Sequence, residues 1–261
     1  MKIQRKIVAI GGGENGRILE DGSIAIYDTE KIDKEIVSLT HKKNPHFLFI
    51  DHAFASSLEI QESYYATMKK IYGKKFNCYC QDLKSNELND KQLVEEKIAW
   101  ADIIYEGGGD TLSMINLWKN TGFDKVLQKA WQDGKVIAGI SAGAVCWFNA
   151  CNSDCVINNK SNFEVVPCLN WFNAFLTPHA DENGRIISTK NMLKSNNLVG
   201  ILLSNRSAIE IVDDKYRVLF SDIGKTKPFV LKTYWNNNNY FRKRITNSVY
   251  YKNFKELLSK K

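Results

Sequence analysis

One serine in this chain stands where a nucleophile could be made. Gly139-Ile140-Ser141-Ala142-Gly143-Ala144 matches G-x-S-x-G, the turn from strand to helix that holds a serine in a strained and exposed pose. Its two glycines have a steric reason, since a side chain at either would collide with the backbone of the neighbouring strand or helix. A helix beginning directly after the serine aims free N–H groups and a positive dipole end at any oxyanion formed there. The bland alternative is a tight turn whose serine merely caps the helix.

A serine in such a turn needs a base to take its proton and a third group to fix the tautomer of that base. Of the four histidines, His179 alone follows the elbow, at the end of a strand-like run and within a polar loop, so it is the base of choice. Two acids compete for the third place. Asp154 lies in the loop after the elbow, where a carboxylate can fold back on the histidine. Glu210 lies in the middle of Ala208-Ile209-Glu210-Ile211-Val212, where a charge among apolar neighbours needs a partner, and burial favours it.

The elements that must position these groups alternate between two periods. Lys6–Ile10, His46–Ile50, Lys75–Cys80, Ala101–Glu106 and Lys135–Ile140 read as strands. Between them, helices are expected from Asp28 or Thr29 to about Leu39, from Ser56 or Ser57 to about Tyr72, from Asp90 to Trp100, across Leu112–Trp118, and from Phe123 to Trp131. That alternation predicts an α/β fold, a mostly parallel sheet flanked by helices. The elbow helix is expected over Ala142–Phe148, and Asn149–Asn162 as a loop or short strands. Beyond it, Ala174–Thr177 reads as a strand and Ile186–Ser195 as a helix. Short runs at 200–203, 208–212, 216–220 and 229–234 predict a small antiparallel region toward the C-terminus, before a weak terminal helix at Phe254–Leu258.

Two triple glycines follow strands. Gly107-Gly108-Gly109-Asp110-Thr111 precedes a helix and offers open backbone N–H groups at the sheet edge where α/β folds bind ligands. Gly11-Gly12-Gly13 is followed by a polar stretch, Arg17–Tyr27, without helical periodicity, which argues for a loop or hairpin rather than a dinucleotide site. His46 and His52 flank the second strand, where surface or structural roles fit them better than catalysis.

With 261 residues the chain suits one domain, 1–261. No run of eighteen apolar residues and no secretory segment is visible, so a cytoplasmic protein with no membrane partner is expected. The net charge of +7 is concentrated: residues 225–261 hold ten Lys or Arg against one Glu, a local +9, and the remainder carries about −2. Without a binding motif such a tail reads as a solvated face, so no nucleic acid is expected. The six cysteines lack metal-ligand spacing, which leaves reduced thiols and no metal.

Taken together, Gly107-Gly108-Gly109-Asp110-Thr111, the Gly139–Ala144 elbow, and Pro178-His179 with Gly184-Arg185 resemble the peptidase E family. These are serine peptidases related to aspartyl dipeptidase and cyanophycinase, with a fold like that of class I glutamine amidotransferases. The resemblance spans nearly the whole chain, in order. It implies Ser141 as nucleophile, His179 as base, and an oxyanion hole from backbone N–H groups near Gly109 and at Ala142. For the acid it offers Asp154 by analogy with dipeptidase E and Glu210 by analogy with the cyanophycinase-like relatives. Arg185 is the nearest candidate for recognising an acidic substrate side chain. The chain departs from the family where the Asn usual after the triple glycine is Asp110.

The expected activity is hydrolysis of small peptides, Asp-X dipeptides among them, through an acyl-enzyme. No cofactor is called for, and a second copy of the chain is a candidate partner. An esterase of another α/β type, or a non-catalytic binding protein on the same scaffold, are the alternatives. The esterase fits less well because about eighty residues follow His179.

Overall fold

Short β-branched and aromatic runs become the buried strands of a central sheet. In the computed structural model, which describes residues 3–17, 19, 21–154, 163–224 and 226–261, they are β1 (Lys6–Ile10), β2 (His46–Ile50), β3 (Tyr79–Leu83), β4 (Ile103–Glu106) and β5 (Val136–Ile140). All five run parallel, in the order β1-β5-β4-β2-β3. Strands β1, β2, β4 and β5 are buried almost from end to end, as a parallel sheet covered on both faces requires.

The two faces divide by alternation. Val8, Phe47, Phe49, Ile103, Tyr105, Val136 and Ala138 pack with α1 (Glu30–Ser38) and the end of α2 (Leu58–Met68). Ile7, Ala9, Leu48, Ile50, Ile104 and Ile137 pack with α3 (Lys91–Trp100), α4 (Thr111–Thr121), α5 (Phe123–Gln132) and α6 (Ala142–Val145). Ser57, Asp90 and Asp110 accept from backbone N–H groups at the starts of α2, α3 and α4, the role their side chains are suited to.

The remaining strands are β6 (Phe148–Ser153), β7 (Glu164–Pro167), β8 (Phe172–Thr177), β9 (Gly200–Leu203), β10 (Ser207–Val212), β11 (Lys215–Phe220), β12 (Val230–Asn236), β13 (Asn239–Ile245) and β14 (Lys252–Asn253). They do not form one antiparallel patch. β10, β11 and β14 extend the first sheet on the free side of β1, all antiparallel, giving eight strands. The others form a second, mixed sheet of order β13-β12-β9-β8-β6-β7, in which β6, β8 and β9 are parallel. Apolar residues of both sheets meet in one cluster with the helices between them. At its centre Trp118, Trp147, Trp171 and Trp131 stack in sequence, with ring centroids 4.8–5.8 Å apart. Two helices complete the chain, α7 (Arg185–Ser195) against the second sheet and α8 (Phe254–Leu258), whose Phe254 rests on Phe172 and Tyr216.

Two element boundaries differ from the sequence reading. The chain stays helical past α2, through a π-type turn at Lys69–Lys75, so the third strand starts at Tyr79 rather than Lys75. The elbow helix stops at Val145, and Phe148 opens a strand whose Asn149 and Asn152 had the composition of a loop. The rest of the expected loop, 155–162 with Cys155, lies outside the described residues. Three of the ten basic residues of the C-terminal stretch, Arg242, Lys243 and Arg244, fall on β13, an edge strand, where they discourage edge-to-edge pairing. Among the described residues no helix is long and apolar enough to cross a membrane.

Candidate active site

Ser141 follows β5 at the carboxyl edge of the parallel strands, where open α/β sheets bind their ligands. Its backbone lies at φ 54°, ψ −112°, a region a non-glycine residue occupies only under constraint. Two glycines create that constraint. A Cβ on Gly139 would lie 2.3 Å from the Gly143 carbonyl oxygen, and one on Gly143 would lie 2.3 Å from the carbonyl oxygen of Glu106. Strand β4, strand β5 and helix α6 therefore touch backbone to backbone, and the turn has no room to relax. The Ser141 carbonyl accepts from Ala144 and Val145, which starts α6 directly behind the serine.

His179 comes from the other sheet. It follows β8, and its backbone N–H donates to the Gly11 carbonyl at 2.8 Å, tying it to the end of β1. Its Nε2 lies 2.9 Å from Ser141 Oγ. Its Nδ1 lies 2.7 Å from Asn205 Oδ1, in the turn that carries the chain from β9 in the second sheet to β10 in the first. Nδ1–H donating to that amide oxygen leaves Nε2 unprotonated and able to receive the serine proton. Asp181 holds Asn205 in turn: Oδ1 accepts its backbone N–H at 2.7 Å and Oδ2 accepts its side-chain amide at 3.3 Å.

The group at His179 Nδ1 is thus neither of the acids expected from sequence. Asp154 is held by Arg185 Nη2 at 2.8 Å. Glu210 has no exposure in mid-strand, opposite Val8 of β1 on one side and Arg217 of β11 on the other. Arg217 donates to both of its oxygens, at 3.0 and 2.9 Å, and Tyr251 hydrogen-bonds it as well. Desolvation raises its carboxyl above the usual range against the opposing pull of Arg217 and Tyr251. A buried charge does need a partner, as the sequence argument held, but the partner is across the strand pair rather than at the histidine. Another carboxylate near His179 is Glu182, with Oε1 3.6 Å from Nδ1, and Arg185 Nε engages its other oxygen at 3.2 Å.

Arg185 itself is corrected too. It is 2 % exposed, spans Asp154 and Glu182, and lies under the Phe163 ring. It fastens the loop after His179 to the end of β6 and does not line the cleft. The cleft above Ser141 holds about 630 Å³ and is walled by Gly13–Arg17 on one side and by Phe54, Ile60, Tyr64, Thr67 and Lys70 on the other. Its charged groups are Glu14, Arg17 and Lys70, and Glu14 accepts from Arg17 at 2.9 and 3.2 Å.

The first triple glycine serves this site by staying small. A Cβ on Gly12, which sits at φ 152°, would lie 2.1 Å from Asn205 Oδ1 and 2.3 Å from His179 Nδ1. Asn15 and Tyr27 pair in an isolated antiparallel bridge, and no helix opens among the described residues directly after this triple glycine, as a nucleotide-binding turn would require. In the second triple glycine, Gly108 faces the serine, with its Cβ direction 3.3 Å from Ser141 Cβ, and Gly109 packs on the Ala53 carbonyl. Ala142 is the first residue of α6, so its N–H has no partner within the helix.

Behind that loop lies a pair of buried carboxyls. Glu106 Oε1 accepts the Ala53 N–H at 3.1 Å, and the Ala53 carbonyl accepts the Asp110 N–H at 2.9 Å. Asp51 is 2 % exposed, and neither of its oxygens has a hydrogen-bond partner. Desolvation pushes Asp51 up to about 8 and Glu106 well above the carboxylate range, the latter helped by Asp51. His52 beside them is structural, as expected: Nε2–H donates to the Leu83 carbonyl at 2.8 Å, Nδ1 accepts from Trp118 at 2.9 Å, and burial lowers it to about 4. His46 stacks on Trp100 and bonds its carbonyl at the opposite edge of the sheet. Among the described residues no group of three or more His, Cys, Asp or Glu is placed to hold a metal ion.

Residues 18–219 match the model of peptidase family S51. The uncharacterized peptidase YgaJ of Bacillus subtilis (strain 168) is 26 % identical over 213 residues, 81 % of this chain and 85 % of that protein. A peptidase from an acI-B1 Actinobacterium superposes with TM-score 0.71 at 18 % identity, over 95 % of this chain and 96 % of that one. A proposed peptidase E protein from Listeria monocytogenes EGD-e gives 0.57 at 18 % identity, over 83 % and 98 %. The last two show likeness of fold alone. A match over most of the chain, on a fold with a serine elbow, places this protein in peptidase family S51, the serine peptidases of the peptidase E type.

Proposed function

We propose that the chain is a serine exopeptidase that hydrolyses short peptides through an acyl-enzyme, with Ser141 as nucleophile and His179 as base. One observation carries this: Ser141 Oγ, in a strained elbow, lies 2.9 Å from His179 Nε2 at the floor of an open cleft. Ser141 Oγ attacks the scissile carbonyl carbon while His179 Nε2 takes its proton, then passes that proton to the leaving amine. Water attacks the resulting ester by the same route in reverse, giving the free acid and restoring Ser141. The oxyanion is held by the Ala142 N–H and by an N–H of the triple glycine, Gly109 the expected donor and Gly108 the residue nearest the serine.

The size of the cleft supports a small substrate, since about 630 Å³ is the scale of small-molecule sites and not of a folded chain. An acidic side chain, as in Asp-X dipeptides, is favoured by the charge of the lining. Glu14 is engaged by Arg17, which leaves Lys70, rather than the buried Arg185, as the cation a substrate carboxylate would meet. The test is hydrolysis of a panel of Asp-X dipeptides, neutral X-Y dipeptides and an ester by the parent, Ser141→Ala and Lys70→Ala proteins. Cleavage of Asp-X, abolished in Ser141→Ala and weakened through KM in Lys70→Ala, supports the reading. Preference for the ester or for neutral dipeptides overturns the specificity, and activity surviving Ser141→Ala overturns the mechanism.

A further inference from the structure

We propose that Asp181 is a positioning residue for catalysis, which makes a neutral amide serve as the third member of the triad by holding Asn205 in the one orientation that works. The inference rests on the serine peptidase reading above. An amide side chain has two nearly isosteric ends, an acceptor oxygen and a donor nitrogen, and only one of them suits His179. With Oδ1 toward Nδ1, the ring carries its proton on Nδ1 and Nε2 can receive one from Ser141. With the amide turned over, its NH₂ would face Nδ1, force the ring proton onto Nε2, and leave no base at the serine. A misplaced tautomer of this kind is why an Asp→Asn change in a Ser-His-Asp triad costs about 10⁴ in kcat.

Here the turned-over amide is excluded by charge. Asp181 Oδ2 accepts from Asn205 Nδ2 at 3.3 Å, and Oδ1 accepts the backbone N–H of the same residue at 2.7 Å. Reversing the amide would aim its carbonyl oxygen at a carboxylate and lose that bond. Gly12 lies against the other side of the amide, with its Cβ direction 2.1 Å from Asn205 Oδ1, so only a glycine there leaves room for this orientation. Asp181 also leaves its negative charge one residue removed from the imidazolium that forms during acylation. It steadies that charge through the polarised amide rather than by contact.

Phosphonylation of Ser141 by a fluorophosphonate tests this without a known substrate. Ser141 Oγ bonds to phosphorus, fluoride leaves, and His179 takes the serine proton. The arms are Asp181→Asn, Glu182→Gln and the charge-exchanged double variant Asp181→Asn/Asn205→Asp, each checked for an unchanged Tm and read as the phosphonylation rate against pH. Asp181→Asn should slow phosphonylation at saturating reagent at least about tenfold, with the reagent KI changed by less than about twofold, because its own amide can still accept the Asn205 N–H but no longer opposes the flip. The double variant should recover most of that loss, and the acid limb of its profile should move to higher pH, since the carboxylate then touches the imidazole directly. Glu182→Gln should be phosphonylated at the parental rate.

A parental rate in Asp181→Asn, or a double variant no faster than the single one, overturns the inference. So does a loss that appears in Glu182→Gln instead, which would give the role to Glu182. A parent protein that is never labelled overturns the serine peptidase reading and this inference with it, whereas labelling with no response to Asp181 overturns this inference alone.

Discussion

Gly12 and Asn205 approach so closely that a single methyl group on the glycine would lie 2.1 Å from the amide oxygen that His179 bonds. The first strand end, far from Ser141 in sequence, is thereby part of the packing around His179. Gly12→Ala is expected to lower kcat/KM at least about a hundredfold, because displacing Asn205 or the imidazole by even 1 Å has that scale of effect. Gly143→Ala should act differently, since its Cβ meets main-chain oxygens of Glu106 and Gly107 at 2.3 and 2.7 Å and no side chain can yield. Thermal melts beside hydrolysis rates separate the two: for Gly12→Ala, where a φ of 152° also strains an alanine, an activity loss well beyond what its fall in Tm explains, and for Gly143→Ala a loss of at least about 3 kcal/mol of stability.

Neither acid expected from sequence should matter to the chemistry. Asp154→Asn and Glu210→Gln are expected to keep kcat/KM within about threefold of the parent. Glu210→Gln should cost stability on the order of 1–3 kcal/mol, because it removes one of the two counter-charges of Arg217, whose Nη2 also pairs with Glu35. Denaturant melts and steady-state rates on both variants check this. A hundredfold loss of kcat in either would restore that residue to the triad.

The pairing of Ser141 with His179 was legible because its signals are local: a strand, a glycine-flanked serine and a helix for Ser141, and a strand end opening into polar residues for His179. The parallel sheet was legible because β1, β2, β4 and β5 are continuous apolar runs. What was hidden depends on pairing. Glu210 faces Arg217 across β10 and β11, a register that runs of apolar residues do not disclose. Asn205 has the composition of any turn asparagine, and only the crossing of β9 into the first sheet brings it to the histidine. Asp181, two residues from His179, was in plain view; nothing in the sequence shows that its partner is an amide. The division of the late strands between two sheets was hidden for the same reason, since β9 and β10 are separated only by Ser204–Arg206 yet pair with different neighbours.

His52 is expected to act on stability alone. Its neutral form accepts from Trp118 and donates to Leu83, and burial holds it down to about 4. Because this value lies below the unfolded one of 6.5, its contribution is full above pH 6.5 and is lost as pH falls toward 4. Trp118→Phe removes the indole donor and should cost about 1–3 kcal/mol, measured by urea melts at pH 7.5.

Asp51 should show the opposite dependence. Its carboxyl is raised to about 8 in the folded state from the ordinary 3.8, so the unfolded chain holds fewer protons between those values. Its contribution is therefore full below pH 4 and declines as pH rises to about 8, with a slope of up to about 1.4 kcal/mol per pH unit. Asp51→Asn should flatten stability across pH 6–9 relative to the parent. Identical pH profiles for the two proteins would mean that Asp51 is ionised in the folded state throughout.

The most direct test of the central claim is the site of covalent labelling. The protein is treated with a fluorophosphonate at neutral pH, digested, and searched by mass spectrometry for the adduct, with Ser141→Ala and His179→Ala in parallel. One adduct per chain on Ser141, absent in Ser141→Ala and slowed at least about a thousandfold in His179→Ala, is the expected result. An unlabelled parent, or labelling that persists at another residue when Ser141 is removed, would contradict the account.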